Sequence, residues 1–343
     1  MKEKMREYFL KFLHKNRRNA IGWGLTVALS MYKKIKRIIA NSDNKSITLL
    51  SSRLASIERH LKDGKIKFVT VDNAVSWTNE WAKVFPDTFD IVVGIPRSGL
   101  LIANILSLKL GKPLSTPDLF CRDEFWTSRV GRSGLSVTKD SLKNVLLVDD
   151  SIDKGTTMEE NLRRISAYRQ DINVTTAVLI AGSQSMVTVD LNYKVIPQPR
   201  LFEWNLLHAK KASLGSDMDG VICENCPTGV DLDEDLYVEW IKNAKPYLIP
   251  NFKLDLILSN RLEKYRLETE EWLDKHKVKY GELNLWAVPN KHEREGKYAQ
   301  RKIEILMEFK PEQFWESNLS QAKSIWQATR KPTLCVDEMV FFS

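Results

Sequence analysis

The spacing of apolar and polar positions divides the chain into stretches of different texture. IVVGI (91–95) is a continuous β-branched run, ANILSLKLG (103–111) follows helical spacing and ends in Gly, and VLLVDD (145–150) is an apolar run closed by two carboxylates. NVTTAVLIAG (173–182) is another such run. Short apolar runs without alternation, separated by helical segments, predict parallel strands covered by helices on both faces. Upstream, LLSSRLASIERHLKDG predicts a helix, and FVTVDNAVSWTNEWAKVF predicts a short strand and a helix opened by Asp72 or Asn73. A second series begins near residue 212. LGSDMDG (214–220) predicts a strand ending in acid, LDLILSN (254–260) a further strand and TLCVDE (333–338) the last one. Between the series lies NYKVIPQPRLFEWN, rich in Pro and aromatics, which is the expected domain boundary.

Composition agrees with two globular domains. The 343 residues are 43% apolar and 28% charged, with only 15 Gly and 12 Pro. The four cysteines, Cys121, Cys223, Cys226 and Cys335, are too few for a disulfide framework, so a cytoplasmic location is expected. Cys223 and Cys226 have the spacing of half a zinc site, but no second pair follows and they read as ordinary thiols.

The formal charge of +8 is concentrated at one end. Residues 1–37 hold eleven Lys or Arg against Glu3 and Glu7, a net +9, and the rest of the chain carries −1. A basic excess confined in this way argues against a nucleic-acid partner. The uncharged run Asn19 to Tyr32 is shorter than the ~20 apolar residues a spanning helix needs. The segment fits a basic amphipathic helix lying on an anionic membrane surface, or equally a helix packed on the domain or used in a homodimer.

The most informative stretch is NVLLVDDSIDKGTT (144–157). A parallel strand presents its carboxyl end to the crevice where open α/β sheets bind ligands, so Asp149 and Asp150 are expected there. Asp153, Lys154, Gly155, Thr156 and Thr157 supply a tight turn, hydroxyls and a helix start, the ingredients of a phosphate cradle. The spacing is not that of a Walker A loop. This stretch resembles the 5-phosphoribosyl-1-pyrophosphate (PRPP) motif of type I phosphoribosyltransferases, and DIVVGIPRSGLLIANILSLKLGKPL (90–114) resembles the family's pyrophosphate loop and following helix. The resemblance implies that Asp149 and Asp150 contact the ribose hydroxyls and that Asp153 to Thr157 hold the 5-phosphate. Ile95 to Gly99, with Ser98 and Gly99 among the contacts, would then wrap the pyrophosphate with backbone amides while Arg97 adds charge. Lys154 stands where the family often has Thr. The polar segment 120–140 occupies the place of the family's closing loop, with Arg129, Arg132 and Lys139 as pyrophosphate contacts.

SDMDGVIC (216–223) places Asp217 and Asp219 two apart after an apolar strand, so both face one side of an extended strand end. One carboxylate can attack phosphorus while the other gives and takes protons. The rest of the chain resembles the haloacid dehalogenase (HAD) superfamily of phosphohydrolases. By that resemblance Ser259 of LILSNR is the hydroxyl position, and Lys302, with Lys297 as second choice, is the charge-neutralising lysine. Asp217, Asp219, Glu316 and Asn318 would be the Mg²⁺ ligands. Arg261 is a candidate for reading a phosphorylated substrate.

The expected fold class is therefore α/β in two domains. A type I phosphoribosyltransferase-like parallel sheet with flanking helices spans 45–200, and a Rossmann-like HAD domain spans 201–343. A basic amphipathic helical segment, 1–44, precedes them. The order of the two motifs resembles bacterial bifunctional ribofuranosyltransferases of polysaccharide synthesis. That resemblance implies transfer from PRPP to a glycan hydroxyl on a lipid carrier, inversion to a β-ribofuranoside with Asp153 as base, and then removal of the 5-phosphate. The location implied is the inner face of the cytoplasmic membrane. Two other readings stay open: a nucleobase phosphoribosyltransferase with an attached phosphatase, and a PRPP-sensing regulator with an inactive HAD module.

Overall fold

The computed structural model describes residues 66–127, 138–182, 189–208, 212–289, 291–309 and 311–343. The N-terminal segment 1–44, the helix expected over 49–64, and Arg129 and Arg132 lie outside the described residues. No described helix is long and apolar enough to cross a membrane. The described chain forms two compact units, one over residues 72–199 and one joining residues 66–71 to 200–343.

The chain enters through strand β1 (Lys67–Val69) and helix α1 (Val71–Ala82). The first unit continues with β2 (Ile91–Gly94), α2 (Gly99–Leu110), β3 (Leu114–Ser115), α3 (Pro117–Phe120), β4 (Asn144–Ile152), α4 (Thr156–Tyr168), β5 (Asn173–Ala181) and β6 (Leu191–Val195). Its sheet has the order β3-β2-β4-β5-β6 with every pair parallel. The central strand β4 buries Val145 to Val148 completely, as a strand covered on both faces must. Helix α2 starts four residues before the predicted ANILSLKLG because Gly99 can lie against β4, and it stops at Gly111, whose φ of 64° ends it in the left-handed region. Strand β6 falls inside the stretch expected as a boundary. It is an edge strand of half-buried residues, so its sequence carries no continuous apolar run.

The second unit contains β7 (Arg200–Phe202), β8 (Leu214–Ser216), α5 (Glu234–Asn243), β9 (Leu254–Leu262), α6 (Arg266–Lys275) and β10 (Tyr280–Trp286). Then come α7 (Tyr298–Glu308), β11 (Gln313–Glu316), α8 (Leu319–Thr329), β12 (Thr333–Cys335) and β13 (Val340–Phe342). The sheet order is β10-β9-β8-β11-β12-β13, parallel except for the last pair. Numbered from β8, the first five strands run 3-2-1-4-5, a doubly wound order whose reversal point lies between β8 and β11. The crevice that such a reversal opens sits at the carboxyl ends of these two strands. Strand β1 pairs in parallel with β7, and Phe68 stacks on Phe341 of β13 at 5.6 Å. Residues 66–71 thus belong to this unit and not to the domain expected over 45–200.

Candidate active sites

In the first unit, β4 delivers Asp149 and Asp150 to the carboxyl edge of the sheet beside the end of β2. There Ile95 N–H donates to the Val148 carbonyl at 2.8 Å, and the chain turns through Pro96, Arg97 and Ser98, with the Pro96–Arg97 peptide cis. Ser98 Oγ donates to Asp150 Oδ1 at 2.9 Å, and Asp150 N–H donates to Asp149 Oδ1 at 2.8 Å. A Cβ on Gly99 would lie 2.7 Å from Asp149 Oδ1 and 2.9 Å from its Cα, so only Gly brings the start of α2 this close to the acids. After β4 the chain exposes Asp153, Lys154, Thr156 and Thr157 around a buried Gly155. Gly155, at φ 89°, caps α4, leaving the first N–H groups of the helix for an anion. Arg97 is exposed on the neighbouring turn.

Lys139 is placed differently from the expectation. Its Nζ donates to Asp123 Oδ2 at 2.7 Å and to the Tyr168 hydroxyl at 3.3 Å, at the last residue of α4 and before the amino end of β4. From Asn144 to Asp150 the strand rises about 20 Å at ~3.3 Å per residue. Lys139 is therefore an ion-pair partner at the opposite edge of the sheet and is not beside the acids.

In the second unit the carboxyl ends of β8, β9 and β11 and the helix α7 meet at one cluster. Lys302, 1% exposed, donates to Asp217 Oδ2 at 2.6 Å and to Glu316 Oε2 at 2.7 Å. The other oxygens are also engaged: Asp217 Oδ1 accepts Met218 N–H, and Glu316 Oε1 accepts the N–H groups of Ser317 and Asn318. Burial pushes the Asp217 carboxyl well above the ordinary range, against the pull of Lys302. Lys297, by contrast, is exposed.

Helix α7 presents Arg301 and Lys302 about 100° apart, as consecutive helical residues must be. Lys302 reaches β8 and β11, while Arg301 donates to the Ser259 carbonyl at 2.9 Å, to Asn284 Oδ1 at 2.6 Å and to the Leu285 carbonyl at 2.7 Å. Ser259 is fully buried, and its Oγ accepts Arg261 N–H at 3.2 Å.

Asp219 and Asn318 depart from their expected roles as metal ligands. Arg261, 1% exposed, grips the Asp219 carboxylate through Nε at 3.1 Å and Nη2 at 2.6 Å, and its guanidinium lies 5.0 Å from the Trp240 ring. Arg261 thus orients an acid instead of standing free for a substrate. Asn318 Oδ1 accepts Gln321 N–H at 3.0 Å and so caps α8. Among the described residues no three His, Cys, Asp or Glu side chains converge as a metal cage. The oxygen donors suited to a hard divalent cation such as Mg²⁺ are the carboxylates of Asp217 and Glu316. Gly220, at φ 80°, lets the chain turn beneath them, since a Cβ there would meet Ser317 Cβ at 2.6 Å.

No curated protein sequence matches the chain. Residues 59–210, however, match the family model described as "Phosphoribosyl transferase domain". This part of the chain is a phosphoribosyltransferase domain. The match takes in the whole first-unit sheet together with β1 and β7. Among solved structures, the Helicobacter pylori xanthine-guanine-hypoxanthine phosphoribosyltransferase is 18% identical with a TM-score of 0.32, over 41% of this chain and 95% of that one. A purine phosphoribosyltransferase from Pyrococcus horikoshii is 19% identical with a TM-score of 0.29, over 42% and 97% respectively. The orotate phosphoribosyltransferase from Aeropyrum pernix is 21% identical with a TM-score of 0.25, over 36% and 71%.

The acids of the phosphoribosyltransferase domain have a measurable consequence for stability. Burial, reinforced by the charge of Asp150, pushes Asp149 from 3.8 up to about 9. The unfolded chain binds this proton only near the ordinary value. Between the two values the folded state carries a proton that the unfolded state lacks, so stability falls as pH rises through that window. The urea midpoint of the unliganded protein is expected to drop from about pH 6 to about pH 9, and Asp149→Asn to flatten that slope. An unchanged slope in Asp149→Asn rejects the assignment.

Arg301 and Arg294, both buried near β9, escaped the sequence reading. They lie in HEREGKYAQRK, whose charges look like a solvated surface until α7 folds one side of it inward.

Proposed function

We propose that the chain is a two-step ribofuranosyltransferase that uses PRPP and then strips the transferred group of its 5-phosphate. In the phosphoribosyltransferase domain, Asp149 and Asp150 hold the ribose hydroxyls and the loop from Asp153 to Thr157 holds the 5-phosphate. The turn at Arg97, Ser98 and Gly99, with Arg129 and Arg132, holds the pyrophosphate. An acceptor hydroxyl attacks C1 as the bond from C1 to pyrophosphate breaks, its proton passes to Asp153, and attack from the opposite face gives a β-ribofuranoside.

In the second unit, read as a HAD phosphatase, Asp217 attacks the phosphorus of the 5-phosphate. The ester bond to O5 breaks, and the leaving oxygen takes its proton from Asp219. Water then hydrolyses the acyl phosphate on Asp217, with Asp219 receiving the proton. Lys302 offsets the negative charge that gathers at Asp217 and Glu316, and the Ser259 hydroxyl orients the phosphate. Mg²⁺ held by Asp217 and Glu316 would supply the charge that lets a carboxylate approach an anionic phosphate.

The observation that carries this reading is Lys302 seated between Asp217 and Glu316 at the reversal point of a doubly wound sheet. It lies on the same chain as a domain whose product would retain a phosphate. A nucleotide made by salvage needs that phosphate, so its removal favours a glycan acceptor, such as one on a lipid carrier at the membrane's inner face.

The test is incubation with PRPP, Mg²⁺ and a panel of glycan and nucleobase acceptors, followed by mass spectrometry. The expected product is a glycan heavier by one unphosphorylated pentose. Pyrophosphate release with free bases alone points to the nucleobase reading, and PRPP binding without turnover of any acceptor points to a regulator. Either result rejects the glycan proposal.

A further inference from the structure

Arg294 ends the short turn Lys291–Arg294 between β10 and α7, and it is 8% exposed. Its Nη1 donates to the carbonyl of Asn260, the residue between Ser259 and Arg261. Its Nε–H is buried without a hydrogen-bond partner among the described residues, and no described carboxylate forms an ion pair with it. A buried guanidinium is almost never left in this condition, because removing its charge from water is costly unless an anion takes up the fork.

The surroundings indicate what that anion is. The Cys226 thiol is within electrostatic reach of Asp219, Asp231, Arg261 and Arg294, and the Tyr237 phenol of Asp219, Arg261 and Arg294, so these charges share one region at the partly open side of Asp219. The other cations there are committed: Lys302 to Asp217 and Glu316, Arg261 to Asp219, and Arg301 to the carbonyls of Ser259 and Leu285 and the amide of Asn284. Each of those three cations is already taken up by groups of the protein itself. A further cation with an unused donor is what such a site needs.

We propose that Arg294 is a phosphate-binding residue of the second unit, its Nε–H donating to an oxygen of a phosphomonoester. The planar fork of Arg suits phosphate better than the point charge of Lys. This inference rests on reading the second unit as a phosphatase.

Inorganic phosphate is the probe. Titrated calorimetrically into the full chain, it is expected to bind Arg294→Gln at least about tenfold more weakly than the unsubstituted protein, the worth of one charge-assisted bond. Arg294→Lys should restore only part of the affinity. Should Arg294→Gln fail to fold, the unsubstituted protein decides alone: its Arg294 Nε–H resonance, assigned by its absence from Arg294→Lys, is expected to shift on phosphate addition. Unchanged affinity in folded Arg294→Gln, or an unmoved resonance, overturns the proposal. Asp217→Asn separates this from the underlying reading. If that variant hydrolyses ribose 5-phosphate at the unsubstituted rate, the phosphatase assignment fails whatever Arg294 binds.

Discussion

Asp217→Asn is expected to lower phosphate release by a factor on the order of a thousand or more, the scale seen when a nucleophile is removed. The amide has nearly the shape of the carboxylate and can still accept the Met218 N–H, so the fold should survive. What disappears is the negative oxygen that would bond to phosphorus. Pyrophosphate release by the phosphoribosyltransferase domain should continue, because Asp149, Asp150 and the loop after them lie in the other unit. With both steps in one assay, the variant should therefore accumulate a pentose-phosphate adduct that the unsubstituted protein does not. Phosphate release within about threefold of normal would rule out Asp217 as nucleophile, since even a partly rate-limiting chemical step should show a larger loss.

Lys302→Met should cost about 3–5 kcal/mol of stability, the usual penalty for removing one partner of a buried ion pair. Here the ammonium is shared, so its loss strands two carboxylates, Asp217 and Glu316, of which Glu316 is fully buried. Methionine fills much of the volume, so the cost is electrostatic and not a cavity effect. Urea unfolding at neutral pH measures it directly, and adding Glu316→Gln to Lys302→Met should recover part of the loss. A change below about 1 kcal/mol would mean that the pair is solvated more than its burial implies.

Much of the fold could be read from the chain because it is built from parallel strands. IVVGI, VLLVDD, NVTTAVLIAG and LDLILSN are continuous apolar runs, since both faces of these strands are covered. Strands at the rim are harder to see. In β10, Leu283 and Leu285 are buried while Gly281 and Glu282 are exposed, and β6 has no fully buried residue. The carboxylates at strand ends were also legible, because position in a parallel sheet fixes which edge they reach. Side chains whose role depends on a distant partner were not. Arg261 grips Asp219 across 42 positions of sequence, Asn318 turns back to cap its own helix, and Lys139 lies at the wrong edge of its sheet although it follows the right loop in sequence.

The parallel pairing of β1 with β7 makes the first unit an insertion into the second in the order of the chain. A fragment cut to begin at Arg200 would keep every residue of the six-stranded sheet and yet lose Phe68 from against Phe341, as well as the Ile66 carbonyl that accepts the Ser343 hydroxyl. It would also leave β7 as an open edge, ready to pair with another chain. Isolating the second unit therefore calls for splicing rather than truncation, with residues 66–71 rejoined ahead of residue 200 through a short linker in place of the first unit.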